Sequence, residues 1–283
     1  MNLSLIFLVF VVGSFGLNID ISVDLEIDQR NLIPPKKAER KLQENQTMPS
    51  RSLIRYQDTN GDILEGVAYS SSGLFSTSKP IVIIFPAFKG ITKFEEGQAE
   101  KLAKLGYITF VADVYGKGIR PTDPFEAKSV MNSLVEKRNG VLKDRIFASL
   151  RAAQKLPGSD KRKVAVLGYC FGGLAALDLA RYHSGILAAI TFHGTLTPLP
   201  VSEVSAVPIT TVIQVHHGDN DKGVNEQVGG FLEEFRSRYA DFSFTAYGKA
   251  KHGFSMPEHD GYNEDAAKRS WDATLALLKE VFE

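Results

Sequence analysis

The single cysteine of the chain, Cys170, stands in a sequence that favours a reactive thiol. It lies in the run Gly168-Tyr169-Cys170-Phe171-Gly172-Gly173, between a short apolar stretch and a helix-forming one. Glycines two residues to either side of a nucleophile permit a strained strand-to-helix turn that lifts the central side chain above the sheet. The helix N-terminus favours a thiolate there. The pattern predicts a cysteine nucleophile; the alternative is a buried cysteine between packing glycines.

A thiol nucleophile needs a base, and the base needs an acid that orients it. After an elbow of this kind the expected chain order is nucleophile, acid, histidine. A strand-like run ends in His217-Gly218-Asp219-Asn220-Asp221, and His252 follows later in a loop before the last helix. Asp221 fits the Gly-x-x-Asp spacing expected for the acid, whereas Asp219 is the rival and has turn formation as its alternative role. We therefore expect a Cys170, Asp221 and His252 triad.

Two backbone N–H groups are expected to stabilise the oxyanion of an acyl-transfer reaction. One belongs to Phe171, directly after the nucleophile, and the other to Phe88 in the loop after the first parallel strand. Asp113 lies at another strand end, where we expect it to hydrogen-bond loop backbone. The residues predicted to line the substrate pocket are Ala87, Lys89, Tyr169, His193 and Phe254.

The elements that must position these groups follow an α/β pattern. From residue 81, short continuous apolar runs alternate with segments of helical period, which is typical of parallel strands covered by helices on both faces. The predicted strands are 81–85, 108–114, 164–167, 187–192, 210–215 and 242–247. Helices are predicted near 94–105, 125–134, 143–155, 172–183, 225–239 and 264–282. Ligand chemistry in such sheets gathers at the carboxyl ends of the strands.

An antiparallel hairpin is expected before the parallel sheet. Two extended stretches, 54–58 and 63–69, flank Asn60-Gly61. This dipeptide predicts a type I′ turn, which needs a positive φ at both central residues. We therefore expect the domain to open with a hairpin and to continue as a mostly parallel sheet.

The N-terminal part of the chain has the composition of a targeting segment and a linker. Residues 1–16 carry an apolar run followed by small residues, which predicts a signal peptide and a secreted or periplasmic protein, with an uncleaved anchor as the alternative. Residues 17–52 are polar and contain proline, so we interpret them as a flexible leader before a catalytic domain at 53–283. The sequon at Asn45 is a candidate glycosylation site.

Composition excludes several other classes of function. The 283 residues include 33 basic and 33 acidic side chains, so no global field attracts nucleic acid. Histidines, the cysteine and carboxylates do not recur at metal-ligand spacings. No glycine loop matches a phosphate-binding motif. We expect no metal and no nucleic-acid partner.

The motifs together resemble the dienelactone hydrolase family, also called carboxymethylenebutenolidases, of the α/β-hydrolase fold. The likeness runs from about Arg55 to the C-terminus and rests on four motifs: GYCFGG at Cys170, the HGxxD run, the loop at His252 and ADVYG. It implies an ester or lactone hydrolase with a Cys-Asp-His triad and an acyl-cysteine intermediate. It also implies oxyanion donors at Phe171 and Phe88, no cofactor, a small-molecule substrate and a monomer.

Two positions depart from the resembled family. Its best-known members hold a glutamate where this chain has Ala87, and that glutamate bonds the resting thiol, so the switch cannot operate here. They also carry an arginine shortly after the catalytic histidine that grips a substrate carboxylate, whereas this chain reads Ser255-Met256-Pro257. A neutral ester, lactone or thioester is therefore as compatible as the anionic dienelactone. The alternatives are a thioesterase or peptidase with the same triad and a non-catalytic protein that binds small molecules.

Overall fold

A computed structural model of the chain describes residues 48–71, 78–199 and 207–283. The predicted signal peptide, the sequon at Asn45 and most of the predicted leader lie outside these residues. The first strand begins at Ser50, so the last residues of the predicted leader belong to the sheet. In the described ranges, no helix combines the length and the apolar character needed to cross a membrane.

Strands and helices alternate along most of the described chain. The strands are β1 (Ser50–Gln57), β2 (Ile63–Ser70), β3 (Lys79–Phe85), β4 (Ile108–Val111), β5 (Ser159–Tyr169), β6 (Ala188–Phe192), β7 (Val212–Gly218) and β8 (Phe242–Tyr247). The helices are α1 (Lys93–Lys104), α2 (Pro124–Glu136), α3 (Lys143–Ala153), α4 (Phe171–Arg181), α5 (Asn225–Ser237) and α6 (Glu264–Phe282). A π-helical turn, Arg138–Leu142, leads into α3.

The eight strands form one sheet in the order β1-β2-β4-β3-β5-β6-β7-β8. The pairs β1–β2 and β2–β4 are antiparallel, and the remaining neighbours are parallel. The predicted fold class, a mostly parallel sheet with an antiparallel hairpin at its start, is therefore confirmed. Because parallel strands share one direction, their carboxyl ends meet at one edge, where the candidate residues follow β3, β5, β6, β7 and β8.

The two largest clusters of the core lie on opposite faces of the sheet. Ile81 and Ile83 of β3 pack on one face with side chains from α3, α4 and α5. Val82 and Ile84 pack on the other with side chains from α1 and α6. Alternate residues of a strand point to opposite faces, so a continuous apolar run reports burial on both. The continuous apolar runs in the sequence therefore predict central strands that are buried on both faces of the sheet.

The hairpin turn differs from the predicted type. Gly61 has φ +87°, but Asn60 has no positive φ, so a type I′ turn is excluded. The Asp58 carboxylate accepts the N–H groups of Asn60 and Asp62 at 3.0 and 2.9 Å, and Gly61 N–H donates to the Asp58 carbonyl. An aspartate that captures these N–H groups stabilises a longer turn, and only its glycine needs the left-handed region. The hairpin itself, β1 with β2, is present.

Strand β4 ends earlier than the apolar run suggested. It stops at Val111, and Asp113 then accepts the N–H groups of Tyr115 and Gly116 on Oδ1 at 3.0 and 3.1 Å. These side-chain bonds replace ladder bonds and turn the backbone away from the sheet. The turn places Tyr115 beside the loop that follows β3.

Candidate active site

Cys170 occupies a sharp turn between β5 and α4. Its backbone has φ 53° and ψ −115°, a conformation that costs energy for any residue other than glycine. Its N–H donates to the carbonyl of Phe192 at 3.1 Å, and its carbonyl accepts from Gly173 and Thr195. The surrounding contacts therefore hold a strained backbone in place, and the side chain remains half-buried.

The glycines of the turn are required by close backbone packing. A Cβ on Gly168 would lie 2.0 Å from the carbonyl oxygen of Gly172. A Cβ on Gly172 would lie 2.1 Å from the carbonyl oxygen of Phe85. Real Cβ atoms do not approach backbone this closely, so these two positions accept only glycine in this fold. The spacing read from the sequence thus corresponds to the observed packing of β5, α4 and β3.

The structure brings Cys170, His252 and Asp221 together. The Nε2 atom of His252 lies 3.1 Å from Sγ of Cys170, and its Nδ1 atom lies 2.7 Å from Oδ2 of Asp221. His252 comes from the loop after β8 and Asp221 from the loop after β7. A nucleophile, a base in contact with it and a carboxylate that orients the base are the geometric requirements of a catalytic triad.

Asp221, and not its rival Asp219, is the carboxylate that reaches the histidine. Asp221 is 3% exposed, and its Oδ1 also accepts the N–H of Gly223 at 3.2 Å. Asp219 is exposed, and its backbone carbonyl accepts from Asn225 while its N–H donates to the carbonyl of Tyr247. The turn that starts at Gly218 therefore directs the two carboxylates to different places.

The surroundings of His252 favour its protonated form. Burial by itself would lower the pKa of His252, but hydrogen bonds to Asp221 and Cys170, with the negative charge of both groups, raise it to about 10. The side chain is 36% exposed, so solvent still reaches it. An imidazolium beside the sulfur stabilises a thiolate. The arrangement can therefore supply a proton donor beside the sulfur at neutral pH.

His193 is buried and packs against the imidazole of His252. It is fully buried at the end of β6, its Nε2 is 2.8 Å from Oγ of Ser255, and its ring centroid is 5.2 Å from that of His252. Burial lowers its pKa well below the ordinary value, and the nearby positive charges of His252 and His259 lower it further. His193 is therefore neutral and packs against His252 without competing for its proton.

The other residues predicted to line a pocket occupy different depths. Tyr169 and Phe254 are 1% and 0% exposed and pack among aromatic rings. Ala87 is buried and Lys89 is exposed. In this structure the rings of Tyr169 and Phe254 pack within the protein interior. A pocket-lining role for any of these residues stays a prediction.

Two backbone N–H groups, those of Phe88 and Phe171, are the predicted donors to an oxyanion. Phe171 is the first residue of α4, and Phe88 lies in the loop after β3. Within the described ranges, neither N–H has a hydrogen-bond acceptor. Free N–H groups at a helix start and in an adjacent loop can stabilise a negative oxygen.

Two residues near these donors, Glu95 and Tyr115, are not predicted by the sequence motifs. Glu95 is fully buried in the first turn of α1 and accepts the N–H of Ala87 at 3.2 Å. Tyr115 donates its hydroxyl to the carbonyl of Phe88 at 2.6 Å. The sequence held one usable signal, the Thr-x-x-Glu capping box that ends at Glu95. No local pattern indicates the contact made by Tyr115.

Asp113 has the structural contacts expected from its position. Besides the turn at Tyr115, its Oδ2 accepts the N–H of Glu65 at 2.9 Å. It is 2% exposed, and among the described residues it makes no hydrogen bond to Cys170, Asp221 or His252. Nor do three or more potential metal ligands come together anywhere in the described parts of the chain.

Comparison with known proteins gives evidence for the family of this chain that does not depend on the geometry of the site. The family model for the dienelactone hydrolase family matches residues 64–282. An uncharacterised protein of Caenorhabditis elegans is 48% identical over 158 residues, which cover 51% of this chain and 97% of that protein. A probable 2-oxo-3-(5-oxofuran-2-ylidene)propanoate lactonase of Bradyrhizobium is 27% identical over 78% of this chain and 91% of its own length.

A solved structure extends the similarity to three dimensions. A dienelactone hydrolase-like promiscuous phosphotriesterase from metagenomic libraries superposes with a TM-score of 0.77 at 30% sequence identity. The match covers 83% of this chain and 99% of that one. With the family model spanning most of the described domain, these findings show that the chain belongs to the dienelactone hydrolase family of α/β-hydrolases and is an ester or lactone hydrolase.

Proposed function

We propose that this protein hydrolyses a neutral carboxylic ester or lactone through an acyl-cysteine intermediate on Cys170. The observation that carries the proposal is the continuous set of contacts from Sγ of Cys170 to His252 at 3.1 Å and from His252 to Asp221 at 2.7 Å. The raised pKa of His252, about 10, supports an imidazolium paired with a thiolate.

In the acylation step, the Cys170 thiolate attacks the substrate carbonyl carbon and a C–S bond forms. The carbonyl oxygen becomes negative and accepts hydrogen bonds from the N–H groups of Phe88 and Phe171. As the intermediate collapses, the C–O bond to the leaving group breaks and the alkoxide takes the proton from Nε2 of His252. A thioester on Cys170 and a free alcohol result; with a lactone, the alcohol stays part of the acyl group.

In the deacylation step, the now neutral His252 accepts a proton from water while the water oxygen attacks the thioester carbonyl. The same two N–H groups bind the second oxyanion. Collapse breaks the C–S bond, releases the carboxylic acid and restores the thiolate and imidazolium. Asp221 holds the ring in the orientation that both proton transfers require.

Apolar side chains that pack on the same core cluster as Cys170 support a neutral substrate. Ile91, Phe94 and Met256 are half-buried and pack, like Cys170, against the core on the α1 and α6 face of the sheet. Met256 lies in the stretch where the resembled enzymes carry an arginine for a substrate carboxylate. Burying a substrate carboxylate against apolar groups without a partner is costly, whereas a neutral acyl group gains from the contact.

The proposal is tested with the full chain and a panel of neutral and anionic p-nitrophenyl esters and lactones. We expect turnover of p-nitrophenyl acetate, and mass spectrometry of the acid-quenched protein should find the acyl group on Cys170. The Cys170→Ala variant should give neither signal. Neutral esters should have a higher kcat/KM than esters of the same length that carry a carboxylate.

The same experiment separates the alternatives. Acylation of Cys170 by thioesters or peptides, without ester hydrolysis, would favour a thioesterase or peptidase. Binding of the esters without turnover, together with a Cys170 that iodoacetamide does not alkylate, would favour a non-catalytic binding protein. A paraoxon arm is included because the metagenomic relative is described as a promiscuous phosphotriesterase. Turnover of paraoxon alone would contradict the ester assignment.

A further inference from the structure

The peptide that carries the Phe88 N–H is held in one orientation. This peptide joins Ala87 to Phe88, and its carbonyl, on Ala87, accepts the N–H of Gly90 at 2.9 Å. The N–H of Ala87 donates to Oε1 of Glu95 at 3.2 Å, which fixes the preceding peptide. Rotating this peptide would break the bond from Gly90. The orientation of this donor is thus set before any substrate arrives.

The peptide that follows Phe88 is held by Tyr115. The Tyr115 hydroxyl donates to the carbonyl of Phe88 at 2.6 Å, a short bond between groups that are mostly shielded from water. Tyr115 is 3% exposed, and its ring packs against Gly90, where an added Cβ would approach the ring to 3.3 Å. The loop after β3 is therefore fixed from both sides, by Glu95 and by Tyr115.

Tyr115 also contacts the residue that carries the second donor. Its ring is stacked on that of Phe171, with ring centroids 6.1 Å apart and planes inclined by 22°. Phe88 and Phe171 come from different loops, after β3 and after β5. One side chain thus touches both residues whose N–H groups are the proposed oxyanion donors.

Tyr115 is itself fixed by buried polar contacts. Its N–H donates to Oδ1 of Asp113 at 3.0 Å, and its carbonyl accepts from Nη1 of Arg145 at 2.9 Å. Asp113 is 2% exposed and Arg145 is 9% exposed, so both contacts are shielded from water. These contacts leave Tyr115 little conformational freedom, so its position constrains the position of Phe88.

We propose that Tyr115 is a positioning residue that sets the separation of the Phe88 and Phe171 N–H groups for the oxyanion. The inference rests on the proposed function, because it concerns the oxyanion of the acyl-transfer steps. Its hydroxyl acts through the Phe88 backbone and does not touch the substrate. The hydrogen bond from Tyr115 to the Phe88 carbonyl is already formed before substrate binds. Its effect on the reaction rate appears in the transition state, because there the oxyanion needs both N–H donors at once.

The test compares Tyr115→Phe with the unmodified protein in two reactions of the same sulfur. Ester hydrolysis passes through an oxyanion, whereas alkylation of Cys170 by iodoacetamide needs the thiolate but forms no oxyanion. We expect kcat for p-nitrophenyl acetate to fall by roughly ten- to a hundredfold, with KM little changed. This fall in kcat should not exceed the fall caused by removing an oxyanion donor altogether. The rate of alkylation should stay within about twofold, because the deleted hydroxyl bonds the Phe88 carbonyl and the contact of the Cys170 sulfur with His252 remains.

A second readout uses a trifluoromethyl ketone, which adds the thiolate and forms a hemithioketal with an oxyanion. Its inhibition constant should rise in Tyr115→Phe by about the same factor as kcat falls. Tyr182→Phe is the matched control, because it also deletes a hydroxyl with a hydrogen bond, at 2.9 Å to Asn139, beyond the far end of α4. The control should keep kcat, alkylation and inhibition unchanged.

Three outcomes would overturn the inference. Unchanged hydrolysis in Tyr115→Phe would show that the hydroxyl does not position Phe88. A parallel loss of hydrolysis and alkylation would assign Tyr115 a general structural role. An unmodified protein that neither hydrolyses esters nor acylates Cys170 would remove the proposed function and this inference with it. The first two results leave the proposed function standing, so the two failures are distinguishable.

Discussion

His252 and Cys170 are 82 residues apart in the chain, and Nε2 of the one lies 3.1 Å from Sγ of the other. The contact joins the loop after β8 to the turn between β5 and α4. Two parallel strands, β6 and β7, separate β5 from β8 in the sheet. The loops after β5 and β8 must therefore reach over the sheet edge to meet, and the contact exists only in the folded chain.

The pKa of His252 predicts a high-pH limit to activity. The imidazolium supplies the proton to the leaving alkoxide, and its pKa is raised to about 10, so kcat/KM for an alkyl ester such as ethyl acetate should fall as the pH rises through about 10. A histidine with an ordinary pKa near 6.5 would lose that proton before neutral pH is passed. The measurement is the pH dependence of initial rates, corrected for spontaneous hydrolysis. A high-pH limb near 6.5 would contradict the imidazolium–thiolate pair.

The two carboxylates after β7 should differ in their effect on catalysis. Asp221→Asn removes the charge that orients and stabilises His252, and we expect kcat to fall on the order of 10³- to 10⁴-fold, as in other triads. Asp219→Asn is the control, because Asp219 is exposed and its contacts with Asn225 and Tyr247 are made by its backbone. Its kcat should stay within about twofold, in line with other exposed substitutions. Equal losses in both variants would show that the acid has been misassigned.

Gly172 should tolerate no side chain. In Gly172→Ala the new Cβ would lie 2.1 Å from the Phe85 carbonyl oxygen, so α4 or β3 must move. We expect the free energy of unfolding in urea to fall by about 3 kcal/mol or more, at the upper end of overpacking effects. Gly97→Ala is the matched control, since a Cβ at this position of α1 meets nothing within 4 Å.

The control should gain stability. Replacing glycine by alanine inside a helix favours folding by about 0.5–1 kcal/mol. If Gly172→Ala unfolded at the same urea concentration as the unmodified protein, the close approach of α4 to β3 would be refuted.

Helix α4, which begins directly after Cys170, should depend on a buried ion network. Asp178 of α4 accepts from Nε and Nη2 of Arg138 at 2.7 and 2.6 Å and from Nη1 of Arg181 at 3.0 Å. Asp178→Ala leaves both guanidinium groups without this partner, so we expect a loss of about 3–5 kcal/mol in the free energy of unfolding. Chemical denaturation followed by circular dichroism measures it.

The control for this prediction is an exposed ion pair. Lys268 and Asp272 form an i,i+4 pair on α6 with side chains 75% and 57% exposed. Asp272→Ala should change the free energy of unfolding by less than about 0.5 kcal/mol, because solvent screens exposed pairs. Comparable losses in Asp178→Ala and Asp272→Ala would mean that burial of Asp178 has no energetic consequence.

The fold class and the identity of the candidate catalytic groups could be read from the chain alone. The elbow at Cys170 is a local requirement, since glycines at 168 and 172 answer close backbone approaches within one strand-to-helix turn. The apolar run of β3 reported burial on both faces of the sheet. Chain order and spacing then indicated Asp221 and His252, because loops after parallel strands gather at one edge.

Other features required the tertiary structure. The type of the turn at Asn60-Gly61 depended on bonds to the Asp58 carboxylate, and the depth of His193 depended on packing against His252 and Ser255. The contact of Tyr115 with Phe88 joins residues 27 apart whose loops are neighbours only because β4 lies beside β3. Local sequence encodes backbone preference and burial. The meeting of side chains from separate strands is decided by the order of strands in the sheet, which no single segment contains.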